Sequence, residues 1–146
     1  IRDLWRQGRA KTVKGNMLGD NAMLGIADAA RKLQTPIRVY YTSNAPSAWG
    51  SEMTPSYKRN VRALPMDQDS IVVQVFGFKT GFGQTGYWHY NIQSGPQHQD
   101  HLGRYDWLWQ VYWPSLPTDD DDVTISGLPG AAVRKPVTRT YVPPTY

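Results

Sequence analysis

Gly15-Asn16-Met17-Leu18-Gly19-Asp20, leading through Asn21–Leu33 into Pro36-Ile37-Arg38-Val39-Tyr40-Tyr41-Thr42-Ser43-Asn44, is the stretch on which the fold turns. Residues 11–17 set Val13 and Met17 between polar neighbours and read as a short strand. Gly19-Asp20 punctuates it, and Asp20 or Asn21 is placed to cap a helix by accepting a hydrogen bond from a free first-turn N–H. Met23, Ile26, Ala27, Ala30 and Leu33 then recur at the spacing of one buried helical stripe. Arg31 and Lys32 complement the negative end of the helix dipole, and Thr35-Pro36 stops the helix. Ile37 to Thr42, rich in β-branched and aromatic residues, reads as a buried strand. The unit is strand–helix–strand, the building block of a parallel sheet. It starts so early that a sheet of this kind would lack its first strands, as though part of a larger protein.

The remaining elements fall on either side of short punctuating segments. Thr54-Pro55 opens a helix with proline at its first position, and Tyr57, Val61 and Leu64 give it an apolar face that ends at Pro65. Ser70 to Phe76 reads as a strand. After a Gly-rich connection, Tyr87 to Gln93 alternates with period two and reads as its hairpin partner. Between Gln97 and Trp113, Leu102, Tyr105, Leu108, Trp109 and Tyr112 fit one face of a helix. Val123 to Ser126 makes a last short strand. The expected organisation is an α/β domain over residues 1–126, incomplete at its N-terminus, and an extended Pro-rich tail over 127–146.

Composition narrows the function classes. With 19% charged and 12% aromatic residues, the 146-residue chain is less charged than the roughly 25% usual in soluble proteins. The absence of cysteine excludes disulfides and thiolate chemistry. No apolar run approaches the roughly 18 residues that span a bilayer, and no signal-peptide pattern precedes the fold, so a cytoplasmic location is expected. The net charge of +4 is uneven. Arg2, Arg6, Arg9, Lys11 and Lys14 face only Asp3, and Arg134, Lys135 and Arg139 repeat the excess near the end. A run of acids, Asp119-Asp120-Asp121-Asp122, lies between them. Such basic ends either follow phosphates, as in nucleic acid, or form a solvated edge.

Individual motifs carry less. Gly81-Phe82-Gly83-Gln84-Thr85-Gly86 has the spacing of a dinucleotide loop but runs into a strand pattern instead of a helix, so it reads as a hairpin loop. His98 and His101 are three residues apart, short of the three or four ligands zinc takes, and no metal site is assigned. His89, among aromatics, reads as packed. Trp107, Trp109 and Trp113 have no Lys or Arg interleaved between residues 105 and 133, which favours an interface or core over base stacking. No serine lies in a nucleophile elbow. Ligands in parallel sheets bind beyond the carboxyl ends of the strands. Asn16, Gly19 and Asp20 on one strand, and Ser43 and Asn44 on the next, are therefore expected to face one crevice.

The order strand, helix, strand, helix, strand, hairpin strand resembles the C-terminal half of a class I S-adenosylmethionine-dependent methyltransferase fold, whose sheet ends in an antiparallel pair. Tyr41-Thr42-Ser43-Asn44 and Asn60-x-x-x-Leu64-Pro65-x-Asp67-x-x-Ser70 resemble elements of an uncharacterised methyltransferase-like group of bacterial proteins, over roughly residues 10–76. The resemblance implies a Rossmann-like, partly parallel sheet with a Trp-rich C-terminal extension. It also implies methyl transfer, with Asn16 and Asp20 orienting acceptor or cofactor and Gly19, Ser43 and Asn44 lining the crevice. The family's Gly-rich loop and acidic strand end have no counterpart, and Asn16-Met17-Leu18-Gly19 stands where its Asn/Asp-Pro-Pro-aromatic motif would be. This chain alone is therefore expected to bind no S-adenosylmethionine and to need an upstream half. The alternative is a non-catalytic interaction module, docking to a protein partner through its tryptophans and basic arm.

Overall fold

Ile71–Phe78 (β2) is the strand around which the sheet is built. The computed structural model describes residues 2–78, 87–112 and 123–128. On one side β2 pairs in parallel with Val39–Ser43 (β1), and on the other it pairs antiparallel with Tyr87–Ser94 (β3). Val123–Ser126 (β4) joins β3 in parallel, so the spatial order β1-β2-β3-β4 repeats the chain order. Parallel neighbours require a crossover. From β1 to β2 the chain passes through a 3-10 turn, Ala45–Trp49, and a helix, Pro55–Arg62 (α3). Between β3 and β4 lie the helices Gly95–Arg104 (α4) and Leu108–Tyr112 (α5). The result is a mixed α/β domain with a partly parallel sheet and one antiparallel pair.

The first strand–helix–strand unit is β1, α3 and β2, two elements further along the chain than the one read over residues 11–42. Residues 11–16 form no strand: Val13 is 84% exposed, and Met17 turns inward to pack against α3. Two apolar side chains four residues apart give no face on which a sheet edge could bury. Asn16, Gly19 and Asp20 consequently sit in a turn before the next helix, not at a strand end. The Gly81–Gly86 loop, the aspartate run, Trp113 and the tail from residue 129 lie outside the described residues.

Helix Ala22–Lys32 (α2) starts after Asn21, which makes no side-chain capping bond, while Asp20 pairs with Arg59 instead. Met23, Ala27 and Ala30 are buried, but Ile26 and Leu33 stay exposed, so the apolar stripe is narrower than its spacing implies. At the far end Thr35 N–H donates to Ala30 O at 2.9 Å and Gln34 N–H to Arg31 O at 2.9 Å. This is a Schellman closure, with Gln34 at φ +52° in the left-handed position usually held by glycine. The expected cap on α3 forms: Thr54 Oγ1 accepts from Tyr57 N–H at 3.4 Å, with Pro55 at the first position.

Tyr57 and Val61 of α3 meet Leu102 of α4, Val111 of α5 and Met53 in the main core cluster. The expected single helix over 97–113 is split. Met53 N–H donates to Asp106 O at 2.6 Å and Leu108 N–H to Ser51 O at 2.8 Å, which holds residues 106–108 against residues 51–53 as a short bridge.

The two faces of the sheet are inverted relative to ordinary patterning. Beneath the helices lie Thr42, Gln74, Asn91 and Gln93, all buried, with Val72 among them. The opposite face carries Val39 and Tyr41 of β1, Ile71 and Val73 of β2, Tyr90 and Ile92 of β3, and Ile125 of β4. Val39, Tyr41, Tyr90 and Ile125 are between 43% and 60% exposed.

Candidate functional site

A strongly cationic surface begins with a short helix, Arg2–Arg6 (α1), none of whose residues is buried. It closes with Arg9 N–H donating to Leu4 O at 2.8 Å and Gly8 N–H to Trp5 O at 3.0 Å. Gly8 takes φ +67° there, a conformation in which a Cβ would be strained. Every residue from 2 to 16 is exposed except the half-buried Ala10. Leu4 and Trp5 are 40% and 48% exposed, beside Arg2, Arg6, Arg9, Lys11 and Lys14. The Arg6–Asp3 pair at 4.0 Å is open to solvent and contributes little. Arg2, Lys11 and Lys14 have no carboxylate partner among the described residues.

The segment is fixed to the fold where it ends. Gly15 abuts Ala22 so closely that a Cβ on it would lie 2.6 Å from the alanine methyl. Asn16 Oδ1 accepts from Leu18 N–H at 2.9 Å. Asn60 of α3, fully buried, donates from Nδ2 to Met17 O at 2.9 Å and Gly19 O at 2.7 Å. Arg59 binds Asp20 beside it. The cationic segment is thus anchored on α3.

Helix α3 carries a second group of cations. Lys58, Arg59 and Arg62 line a cleft of about 540 Å³ together with Glu52, Gly103 and Asp106. Lys58 Nζ meets Asp106 Oδ1 at 2.7 Å. Arg62 lies across Gly103, where a Cβ would stand 3.4 Å from the guanidinium carbon, and it has no carboxylate partner among the described residues. Residues 1–62 hold eleven of the sixteen Lys and Arg against four of the twelve acids.

The residues expected to share a crevice fall into two groups. Asn16, Gly19 and Asp20 form the anchored turn on α3. Ser43 ends β1 at φ +52°, where the pairing register with β2 shifts, and its Oγ lies 3.4 Å from Asn44 Oδ1. Among the described residues no hydrogen bond or ion pair joins the two groups. Trp107 is 46% exposed, and its N–H donates to Gln110 Oε1 at 3.2 Å. Trp109 is half-buried in α5. No group of three metal-ligating side chains forms among the described residues, nor is any of their helices long and apolar enough to cross a membrane.

Sequence reasoning missed the buried polar cluster around His98. Its Nδ1 donates to Gln93 Oε1 at 3.0 Å, while Gln93 Nε2 donates to Val111 O at 3.1 Å. Gln74 Nε2 lies 3.4 Å from His98 Nε2, which is then the acceptor of a neutral ring. Burial, and secondarily the nearby His101, push His98 down to about 3. Burial likewise pushes the Tyr40 hydroxyl up to about 12, against a smaller opposing effect of Tyr57. With His98 fully buried, the cluster ties α4 and α5 to the sheet and offers substrate no access. Its only trace in the sequence is the recurrence of amides at alternate strand positions.

Fold and surface together define a small α/β domain with a buried polar cluster beside its apolar core and a cationic N-terminal segment. Residues 1–129 match the model of a domain family of unknown function, DUF7790, and the chain belongs to that family. No curated protein matches the chain.

Proposed function

We propose that this chain is a non-catalytic binding domain that holds a polyanionic partner on the surface formed by residues 2–14 and α3. The observation that carries the reading is the exposure of five cations against one acid in a segment pinned to α3 through Asn60 and Arg59. A cationic surface of this extent raises the local concentration of anions and accelerates their capture. The exposed Trp107 is available to a protein neighbour in the same assembly. Titration with a heparin oligosaccharide at low and high salt tests the reading. Binding is expected to fall with salt, and to drop further when Arg2, Arg6, Arg9, Lys11 and Lys14 are all replaced by alanine. No binding at low salt would end it.

A second reading is favoured by Ser43, a non-glycine residue in the left-handed region at the carboxyl end of a parallel strand. On it, the chain is a Rossmann-like, methyltransferase-like domain whose cofactor half lies elsewhere in a longer protein, and Ser43 and Asn44 line the acceptor crevice. Catalysis would then come mainly from aligning the two substrates. Calorimetry with S-adenosylmethionine on the full-length gene product decides: heat with that protein supports this reading, and none removes it.

A further inference from the structure

We propose that the polyanion is a single-stranded nucleic acid, with Trp5 stacking on an unpaired base while Arg2, Arg6, Arg9, Lys11 and Lys14 follow the phosphates. This inference rests on the polyanion reading above and assigns its chemistry.

Three observations narrow the partner. First, Trp5 is 48% exposed on a helix with no buried residue, and arginines occupy the third position before it and the first and fourth after it. An aromatic ring kept in water among cations matches the way single strands are held, by base stacking with charge along the backbone. Second, α1 spans only five residues, about 7.5 Å at the usual rise, too short to read a duplex groove. Within a duplex the base faces are already stacked on one another, so the ring would find no partner there. Third, residues 9–16 form neither helix nor strand, and Arg9, Lys11 and Lys14 recur along them two and three residues apart. That suits a linear polyanion better than a membrane surface, which is met by a longer helix with a broad apolar face. Here Leu4 and Trp5 are the only apolar residues in α1.

The test uses the complete chain and a labelled oligonucleotide of about 20 nucleotides, longer than the usual single-strand site. Its duplex and phosphatidylserine–phosphatidylcholine vesicles serve as parallel probes. The single strand is expected to bind more tightly than the duplex. The slope of log K against log salt should be about −3.5, from roughly 0.7 per phosphate over five contacts. Trp5→Ala is expected to weaken single-strand binding about tenfold, with Trp5→Phe keeping most of it. Arg9→Ala and Lys11→Ala should each flatten the slope by about 0.7. All three positions are exposed, so circular dichroism should show the fold unchanged. Equal or tighter duplex binding, indifference to Trp5→Ala, or capture by vesicles alone would overturn the inference. If heparin binds and the oligonucleotide does not, the inference fails and the polyanion reading stands; if neither binds, both fail.

Discussion

Gln34 and His98 each hold a position their chemistry resists, and each gives a measurable consequence. Gln34 closes α2 at φ +52°, where a Cβ crowds the following carbonyl. Gln34→Gly should raise stability by about 1 kcal/mol in urea denaturation, because glycine reaches this conformation without that clash. His98 is neutral in the folded state down to about pH 3, whereas in the unfolded chain it takes up a proton near its ordinary 6.5. Between those values the unfolded state binds the extra proton. The contribution of His98 is thus complete above about pH 6.5 and declines as pH falls, by up to about 1.4 kcal/mol per unit. Unfolding measured from pH 6.5 to 5 should show this slope, and His98→Gln should flatten it.

Asn60 illustrates how a single buried side chain can tie an element to its neighbour. It lies fully buried in α3 and satisfies two carbonyls of the 17–19 turn. Asn60→Ala should cost about 2 kcal/mol by leaving those carbonyls without a donor. Loss of the exposed Asp20–Arg59 pair should cost less than about 1 kcal/mol. The same denaturation series ranks the two. The elements with their own periodicity were legible in the sequence: α2, α3 with its Thr54 cap, the β2–β3 hairpin and β4. The supposed strand over 11–17 failed because, among the described residues, Val13 has no neighbouring strand to bury against. Alternation in Tyr90-Asn91-Ile92-Gln93 reveals which residues share a face and not which face is inside. Gln93 went inward because His98 and the Val111 carbonyl satisfy both ends of its amide.

At the scale of the molecule, Val39, Tyr41, Tyr90 and Ile125 lie between 43% and 60% exposed on the sheet face opposite the helices, where Val75 is buried. An apolar area of this kind on a small domain favours self-association. Tyr41→Lys with Ile125→Lys should lower light scattering in concentrated solution while leaving the unfolding midpoint nearly unchanged. The charge distribution was visible from the composition, but its anchoring was not, since it depends on Asn60 meeting backbone carbonyls about forty residues earlier. The sheet order has a further consequence, for the time course of folding. Because strand neighbours are also chain neighbours, β2 and β3 can zip together before either crossover closes, and β1 and β4 then add at the flanks. Val72, in the central pair, is expected to slow folding when cut to alanine, whereas Val39 at the margin should chiefly hasten unfolding.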